Sequence, residues 1–159
     1  MAEQQQSSTD AVGTRIGQAV MLLHGGDREE ARNRFAVLWS ELGEDGDALH
    51  RCTLAHYMAD TQDDPAEELA WDLRAMNAAA EGLTGERPVP RRDLLALHAF
   101  SPALHLGLAT DYLKLRRPEV ARHHLDRARK AADALPDGGR GNGVRTAIDR
   151  LETRLGRDR

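Results

Sequence analysis

The sequence has little of several residue types on which small proteins rely. Of its 159 residues one is a cysteine, Cys52, and aromatic residues make up 4%. A single cysteine excludes an internal disulfide framework and fits the reducing cytoplasm, where we expect this protein to be found. No apolar run approaches the roughly 20 residues of a transmembrane helix, and the first residues lack the basic-then-apolar order of a signal peptide. The sequence therefore predicts no membrane association.

The length of the chain and its net charge limit the number of domains and the classes of binding partner. A chain of this length corresponds to one domain, and a net charge of −4 argues against general nucleic-acid binding. That net charge averages two unlike halves. Residues 1–82 hold 16 acidic and 6 basic residues, a net of −10, whereas residues 83–159 hold 10 acidic and 16 basic residues, a net of +6. The two halves either carry solvated charged faces or favour a homo-oligomer in which unlike ends attract.

Helix signals run along almost the whole chain. Apolar residues recur every three to four positions, and no run alternates as a strand would. Residues 1–9 are polar and predict a disordered tail, residues 10–156 predict a single helical domain, and residues 157–159 predict a flexible C-terminus. Capping residues mark the expected helix starts. These starts are Asp10, Asp27, Asp47, Asp64–Pro65, Ser101–Pro102 and the position before Pro118.

Two segments interrupt the helical pattern. Glycine and proline between positions 82 and 90 predict a loop over 82–92, followed by a short helix over 94–100 and a new helix from Ser101–Pro102. The glycine-rich segment 138–143 predicts a second break, and the last helix is then expected to carry Val144, Ile148, Leu151 and Leu155.

One internal pattern resembles a known repeat. His105-x2-Leu108-Ala109-x2-Tyr112, followed by Ala121-x3-Leu125, is similar to the tetratricopeptide repeat (TPR), a helix–turn–helix unit of about 34 residues. Weaker copies lie around Ala19 with Ala31-x3-Phe35 and around Leu54-Ala55-x2-Met58 with Leu69-x3-Leu73. The abundance of arginine and alanine is typical of GC-rich bacterial genomes.

The resemblance implies an all-α fold of antiparallel helix-pair repeats in a TPR-like right-handed α–α superhelix. About three repeats and a C-terminal capping helix fit the chain. The Trp position of the repeat holds Arg15, Arg51 and His105, which departs from the family pattern. A plain antiparallel helical bundle is the alternative.

The same resemblance implies where a partner would bind. It places an apolar groove with a few polar groups on the first helices of the units, which favours a non-catalytic module that binds a protein or peptide. A small-molecule-binding or biosynthetic accessory protein using this groove, and a self-assembling scaffold, are the alternatives. The predicted groove residues are Ile16, Val20, His24, Cys52, His56, Asp60, Leu106 and Thr110.

No catalytic motif is present in the sequence, so enzymatic activity is not predicted. Cys52 and His56 stand four residues apart, so both face one side of a helix and could share a metal ion, with Asp60 one turn further on. The absence of a known ligand spacing favours structural roles for both residues, and no cofactor is predicted.

Overall fold

A computed structural model describes residues 2–85, 87–135 and 139–157 of the chain, and seven helices account for most of them. Within these ranges no residue forms a strand, which confirms the all-α prediction. The helices are α1 (Ala2–His24), α2 (Arg28–Leu42), α3 (Ala48–Ala59), α4 (Pro65–Thr84), α5 (Arg91–Lys114), α6 (Pro118–Asp133) and α7 (Gly139–Arg157).

The predicted caps of the central helices are confirmed. The side chain of Asp27 accepts a hydrogen bond from the backbone N–H of Glu30 at 3.3 Å, and that of Asp47 accepts one from His50 at 3.0 Å. Asp64 caps α4, which begins at Pro65. These carboxylates satisfy N–H groups that have no acceptor within the first helical turn.

The first helix begins earlier than the sequence pattern predicts. A disordered tail over 1–9 and a start at Asp10 are expected, but α1 begins at Ala2. No glycine or proline stands between Ala2 and Asp10, and alanine, glutamate and glutamine are good helix formers, so nothing local stops the helix from extending. Of the predicted flexible C-terminus, Arg157 ends α7, and residues 158–159 lie outside the described residues.

The predicted loop over 82–92 is present but shorter, because the described residues 85 and 87–90 separate α4 from α5. The predicted short helix over 94–100 is part of α5, which runs unbroken from Arg91 to Lys114. Gly82 lies inside α4, where an added Cβ would come within 2.7 Å of Leu97 Cδ1 and 2.9 Å of Ala48 Cβ. The glycine therefore allows α3, α4 and α5 to approach closely and does not end a helix.

Pro102 lies inside α5, so no new helix starts at Ser101. A proline inside a helix removes one backbone hydrogen bond and costs about 3 kcal/mol. Packing offsets this cost, because Pro102 and the neighbouring Leu97, Leu104 and Leu108 are all buried.

The last helix also starts earlier than predicted. It begins at Gly139, within the segment expected to be a break, and carries the predicted buried side chains Ile148, Leu151 and Leu155. Gly138, the first residue of the predicted break, lies outside the described residues.

Consecutive helices pack against each other from α1 to α7. The odd-numbered helices also approach one another, whereas the even-numbered helices, over the residues described, do not. Cα atoms of α1 and α3, of α3 and α5, and of α5 and α7 approach within 8 Å, and no two even-numbered helices do so among the described residues. α2 and α4 meet instead through the rings of Trp39 and Trp71, whose centroids lie 5.2 Å apart. None of the helices, over the residues that the structure describes, is long and apolar enough to cross a membrane.

Candidate functional site

Three carboxylates from two helices converge in the interior. Glu68 and Asp72 lie one turn apart on α4, and Asp111 lies on α5. One oxygen of each lies within 4.8 Å of the others. The side chains of Glu68 and Asp72 are 13% and 5% exposed, and Asp111 is fully buried. We call these three residues the acid cluster.

Local packing places these carboxylates inside the protein. Asp72 continues the buried face of α4 formed by Ala75, Ala79 and Gly82, at helical intervals of three and four. Gly107 of α5 makes room for it, because an added Cβ there would lie 3.3 Å from both oxygens of Asp72. Asp111 is one turn beyond Gly107.

Two basic groups partly balance the acid cluster. Lys114 Nζ donates to both carboxylate oxygens of Glu68, at 3.1 and 2.9 Å. His56 Nδ1, on α3, lies 3.8 Å from Asp72 Oδ1. Burial, and then the neighbouring Asp72 and Glu68, raise the pKa of Asp111 far above its ordinary range. Asp111 is therefore protonated at neutral pH in the absence of a cation.

Several polar atoms at this site have no hydrogen-bonding partner within the described residues. They are both carboxyl oxygens of Asp111 and Nδ1 of His56. A buried polar atom without a partner costs on the order of 1–3 kcal/mol. Carboxylate oxygens and neutral imidazole nitrogens are ligands of metal ions, so Glu68, Asp72, Asp111 and His56 are the residues that could hold one.

A row of four rings runs beside the acid cluster across α1, α3 and α5. His24 stands edge-on to Tyr57 at 6.5 Å between centroids, His56 lies 5.3 Å from Tyr57, and His56 lies 5.0 Å from Phe100. We call His24, Tyr57, His56 and Phe100 the ring row. His24 is exposed, and the other three are half-buried.

Asp60 lies where α3 ends, close to the ring row and the acid cluster. It is exposed as a residue. Desolvation raises the pKa of its carboxyl group, as do the carboxylates of Asp72 and Glu68, while His56 and Lys114 oppose this shift. Asp60 therefore places an exposed carboxyl group beside the ring row and the acid cluster.

The structure brings together three of the predicted groove residues, His24, His56 and Asp60. Ile16 and Cys52 are buried in the hydrophobic core and do not present side chains to a ligand. Val20 is packed against the same cluster as Ile16.

The two predicted residues of α5 have local roles. Leu106 packs against the cluster that includes Ile148 and Leu151 of α7. The hydroxyl of Thr110 donates to the carbonyl of Leu106 at 3.0 Å.

The proposed pairing of Cys52 with His56 is not the set of ligands that the structure assembles. Cys52 packs among apolar side chains of α4 and α5, including Ala75, Leu97 and Leu104. Burial raises the pKa of its thiol to about 12, so the thiolate that a metal ion requires is absent near neutral pH. His56 Nδ1 lies beside Asp72 instead.

Sequence reasoning missed the acid cluster. Glu68 lies in the first turn of α4, where acids are favoured, and charged residues on helices, such as Asp72 and Asp111, usually face solvent. The available signal was their register: Asp72 precedes Ala75, Ala79 and Gly82 on the apolar face of α4, and Asp111 follows Leu104 and Leu108 on that of α5. An acid in the buried stripe of each of two helices indicates a shared interior site.

A second cluster joins α5 to α6. The Nδ1 atoms of His105 and His124 lie 3.3 Å apart, and the ring of His124 stacks on Tyr112 at 5.6 Å between centroids. Burial, with the nearby His124, lowers the pKa of His105 to about 4. One neutral imidazole can donate to the other at this distance.

Comparison of the chain with protein-family models, with curated proteins and with solved structures finds no match in any of the three.

Proposed function

We propose that this chain is a non-catalytic, TPR-like interaction module that binds a basic segment of a partner protein across the ring row. The observation that carries this proposal is the ring row itself, because it crosses three odd-numbered helices beside the exposed carboxyl group of Asp60. A segment lying along it would contact α1, α3 and α5 together.

The packing of the helices supports a binding face on the odd-numbered side. The odd-numbered helices approach each other, while the bulky pair Trp39 and Trp71 stands between α2 and α4. Such a wedge on the even-numbered side would curve the array and make the odd-numbered side concave, as stacked helix pairs do in solenoid proteins.

The chemistry of the face favours a basic partner over the apolar one expected from the sequence. Ile16 and Cys52 are buried, so the groove has less apolar lining than the repeat pattern implies. The groups that this face presents are the exposed His24, the three half-buried rings and the exposed carboxyl group of Asp60. A guanidinium or ammonium group is attracted both by aromatic faces and by carboxylates. The net charge of −10 over residues 1–82 would add a long-range attraction.

A peptide-binding experiment tests the proposal. Selection from a random dodecapeptide phage library should enrich peptides that contain arginine or lysine, and fluorescence anisotropy should then give their Kd. We expect Asp60→Lys to raise that Kd at least tenfold, equivalent to about 1.4 kcal/mol. Added salt should also weaken binding, because exposed charges are screened.

Glu29→Lys is the matched control. Glu29 is an exposed acid on α2, in the same acidic half of the chain, and its reversal changes the net charge by the same amount. We expect this variant to change the Kd less than twofold. Enrichment of peptides without basic residues, or an equal loss in both variants, would contradict the proposal.

A further inference from the structure

We infer that the acid cluster and His56 form a binding site for one divalent first-row transition-metal ion, which ties α3, α4 and α5 together. This inference is independent of peptide binding. It concerns the interior side chains of the cluster, and its test uses the metal ion alone.

The distances between the candidate ligand atoms suit one ion. In a tetrahedral site with ligands about 2.1 Å from the metal, the ligand atoms stand about 3.4 Å from one another. His56 Nδ1 and Asp72 Oδ1 are 3.8 Å apart. The oxygens of Glu68, Asp72 and Asp111 lie within 4.8 Å of one another, so each needs to move by about an ångström or less. His56 lies near Asp72 but not within 4.8 Å of all three oxygens, so its ring has to move further to join them.

The buried polar atoms without hydrogen-bonding partners are evidence for a bound ligand, in addition to the clustering of acidic residues. Asp111 is fully buried within the cluster, and among the described residues no group donates a hydrogen bond to either of its oxygens. Asp72 and Glu68 can only accept the proton that Asp111 carries. His56, from a third helix, likewise has no hydrogen-bonding partner at the Nδ1 that lies beside Asp72. A cation bound among these atoms would satisfy both groups at once.

The charges also favour a cation. Lys114 forms an ion pair with Glu68, which leaves the remaining carboxyl groups of Asp72 and Asp111 without a full positive charge nearby. A divalent ion would neutralise the buried carboxylate of Asp72 and would take the place of the proton that Asp111 carries.

The mixed ligand set selects the class of metal. Carboxylate oxygens alone suit Mg²⁺ and Ca²⁺, whereas imidazole nitrogen suits Zn²⁺ and its first-row neighbours. Ca²⁺ takes six to eight oxygen ligands, which three carboxyl groups supply only if all of them bind through both oxygens. We therefore expect Zn²⁺ and Mn²⁺ to bind more tightly than Ca²⁺.

Isothermal titration of the EDTA-treated full chain with Zn²⁺, Mn²⁺ or Ca²⁺ chloride tests the inference. We expect one ion per chain, at least tenfold weaker Ca²⁺ binding, and a thermal midpoint that rises with Zn²⁺ concentration. Asp111→Asn and His56→Gln should each weaken Zn²⁺ binding at least tenfold, with unchanged helical circular dichroism. Glu67→Gln, at an exposed neighbour of Glu68, should leave the affinity within twofold.

A variant that binds Zn²⁺ more tightly would distinguish a metal site from a general loss of structure, which can only weaken binding. Lys114→Met removes the ammonium group that competes for the Glu68 oxygens, so we expect this variant to bind Zn²⁺ more tightly. Three outcomes would overturn the inference: no 1:1 binding of Zn²⁺ or Mn²⁺, an unchanged affinity in Asp111→Asn, or equal affinity for Ca²⁺ and Zn²⁺.

Discussion

Asp111 shows most clearly what the acid cluster costs the fold. Its carboxyl group is fully buried, close to two other carboxylates, and without a hydrogen-bonding partner among the described residues. A side chain in this environment works against folding, and natural proteins concentrate such conflicts at functional sites. Binding a cation would reverse its contribution.

We therefore predict that Asp111→Asn stabilises the metal-free protein. The asparagine amide can donate hydrogen bonds to the carboxylates of Asp72 and Glu68, and it removes the proton uptake that Asp111 requires when the chain folds at pH 7. The expected gain is about 1–2 kcal/mol in the free energy of unfolding, measured by urea denaturation at pH 7. Asp126→Asn, at an exposed acid of α6, should change it by less than about 0.5 kcal/mol. A destabilised Asp111→Asn variant would contradict this prediction.

At the scale of helices, the sequence predicts a boundary correctly where the residues that set it are close together in the chain. The starts of α2, α3 and α4 were predictable because Asp27, Asp47 and Asp64 bond to backbone groups two or three residues away. The predicted interruptions at Gly82 and Pro102 were wrong. Packing against neighbouring helices allows these residues to lie inside α4 and α5, and sequence spacing does not reveal that packing.

Two glycine substitutions separate local propensity from packing. Gly82→Ala should destabilise the protein by about 1–2 kcal/mol, because the new methyl group would collide with Leu97 and Ala48. Gly17→Ala should stabilise it by about 0.5–1 kcal/mol, because an added Cβ at this position of α1 meets nothing within 4 Å. Thermal unfolding of both variants measures the difference, and equal effects would mean that α4 does not pack as described.

The pairing of α5 with α6 should respond to acid. The imidazole of His105 titrates near 6.5 when unfolded, and burial lowers its pKa to about 4 in the folded protein. Between these pH values the unfolded chain binds more protons, so the free energy of unfolding falls as the pH is lowered from 6.5 to 4. Above pH 6.5 this contribution is fully present.

Replacement of the imidazole tests this linkage. His105→Gln should show a smaller decrease in thermal midpoint between pH 7 and pH 4.5 than the wild-type protein. His98→Gln, at an exposed histidine of the same helix, should keep the wild-type decrease. An identical pH profile for all three proteins would exclude a role for His105.

At the scale of the whole molecule, charge is distributed along the order of the helices. The segment 1–82 contains α1 to α3 and most of α4, and the basic segment 83–159 contains α5 to α7. We therefore keep head-to-tail self-association as a prediction. Sedimentation velocity should show larger species at 20 mM NaCl than at 500 mM NaCl, because salt screens attraction between unlike ends. A monomer under both conditions would contradict it.

The contact between Trp39 and Trp71 gives this protein a built-in optical probe of one region. These are the two tryptophans of the chain, and both lie in the first four helices, with ring centroids 5.2 Å apart. Intrinsic fluorescence therefore reports on the junction of α2 and α4, while far-ultraviolet circular dichroism reports on every helix. In an array whose helices contact mainly their neighbours, unfolding can begin at one end. Denaturation curves that coincide for the two signals would show that all seven helices unfold as one cooperative unit.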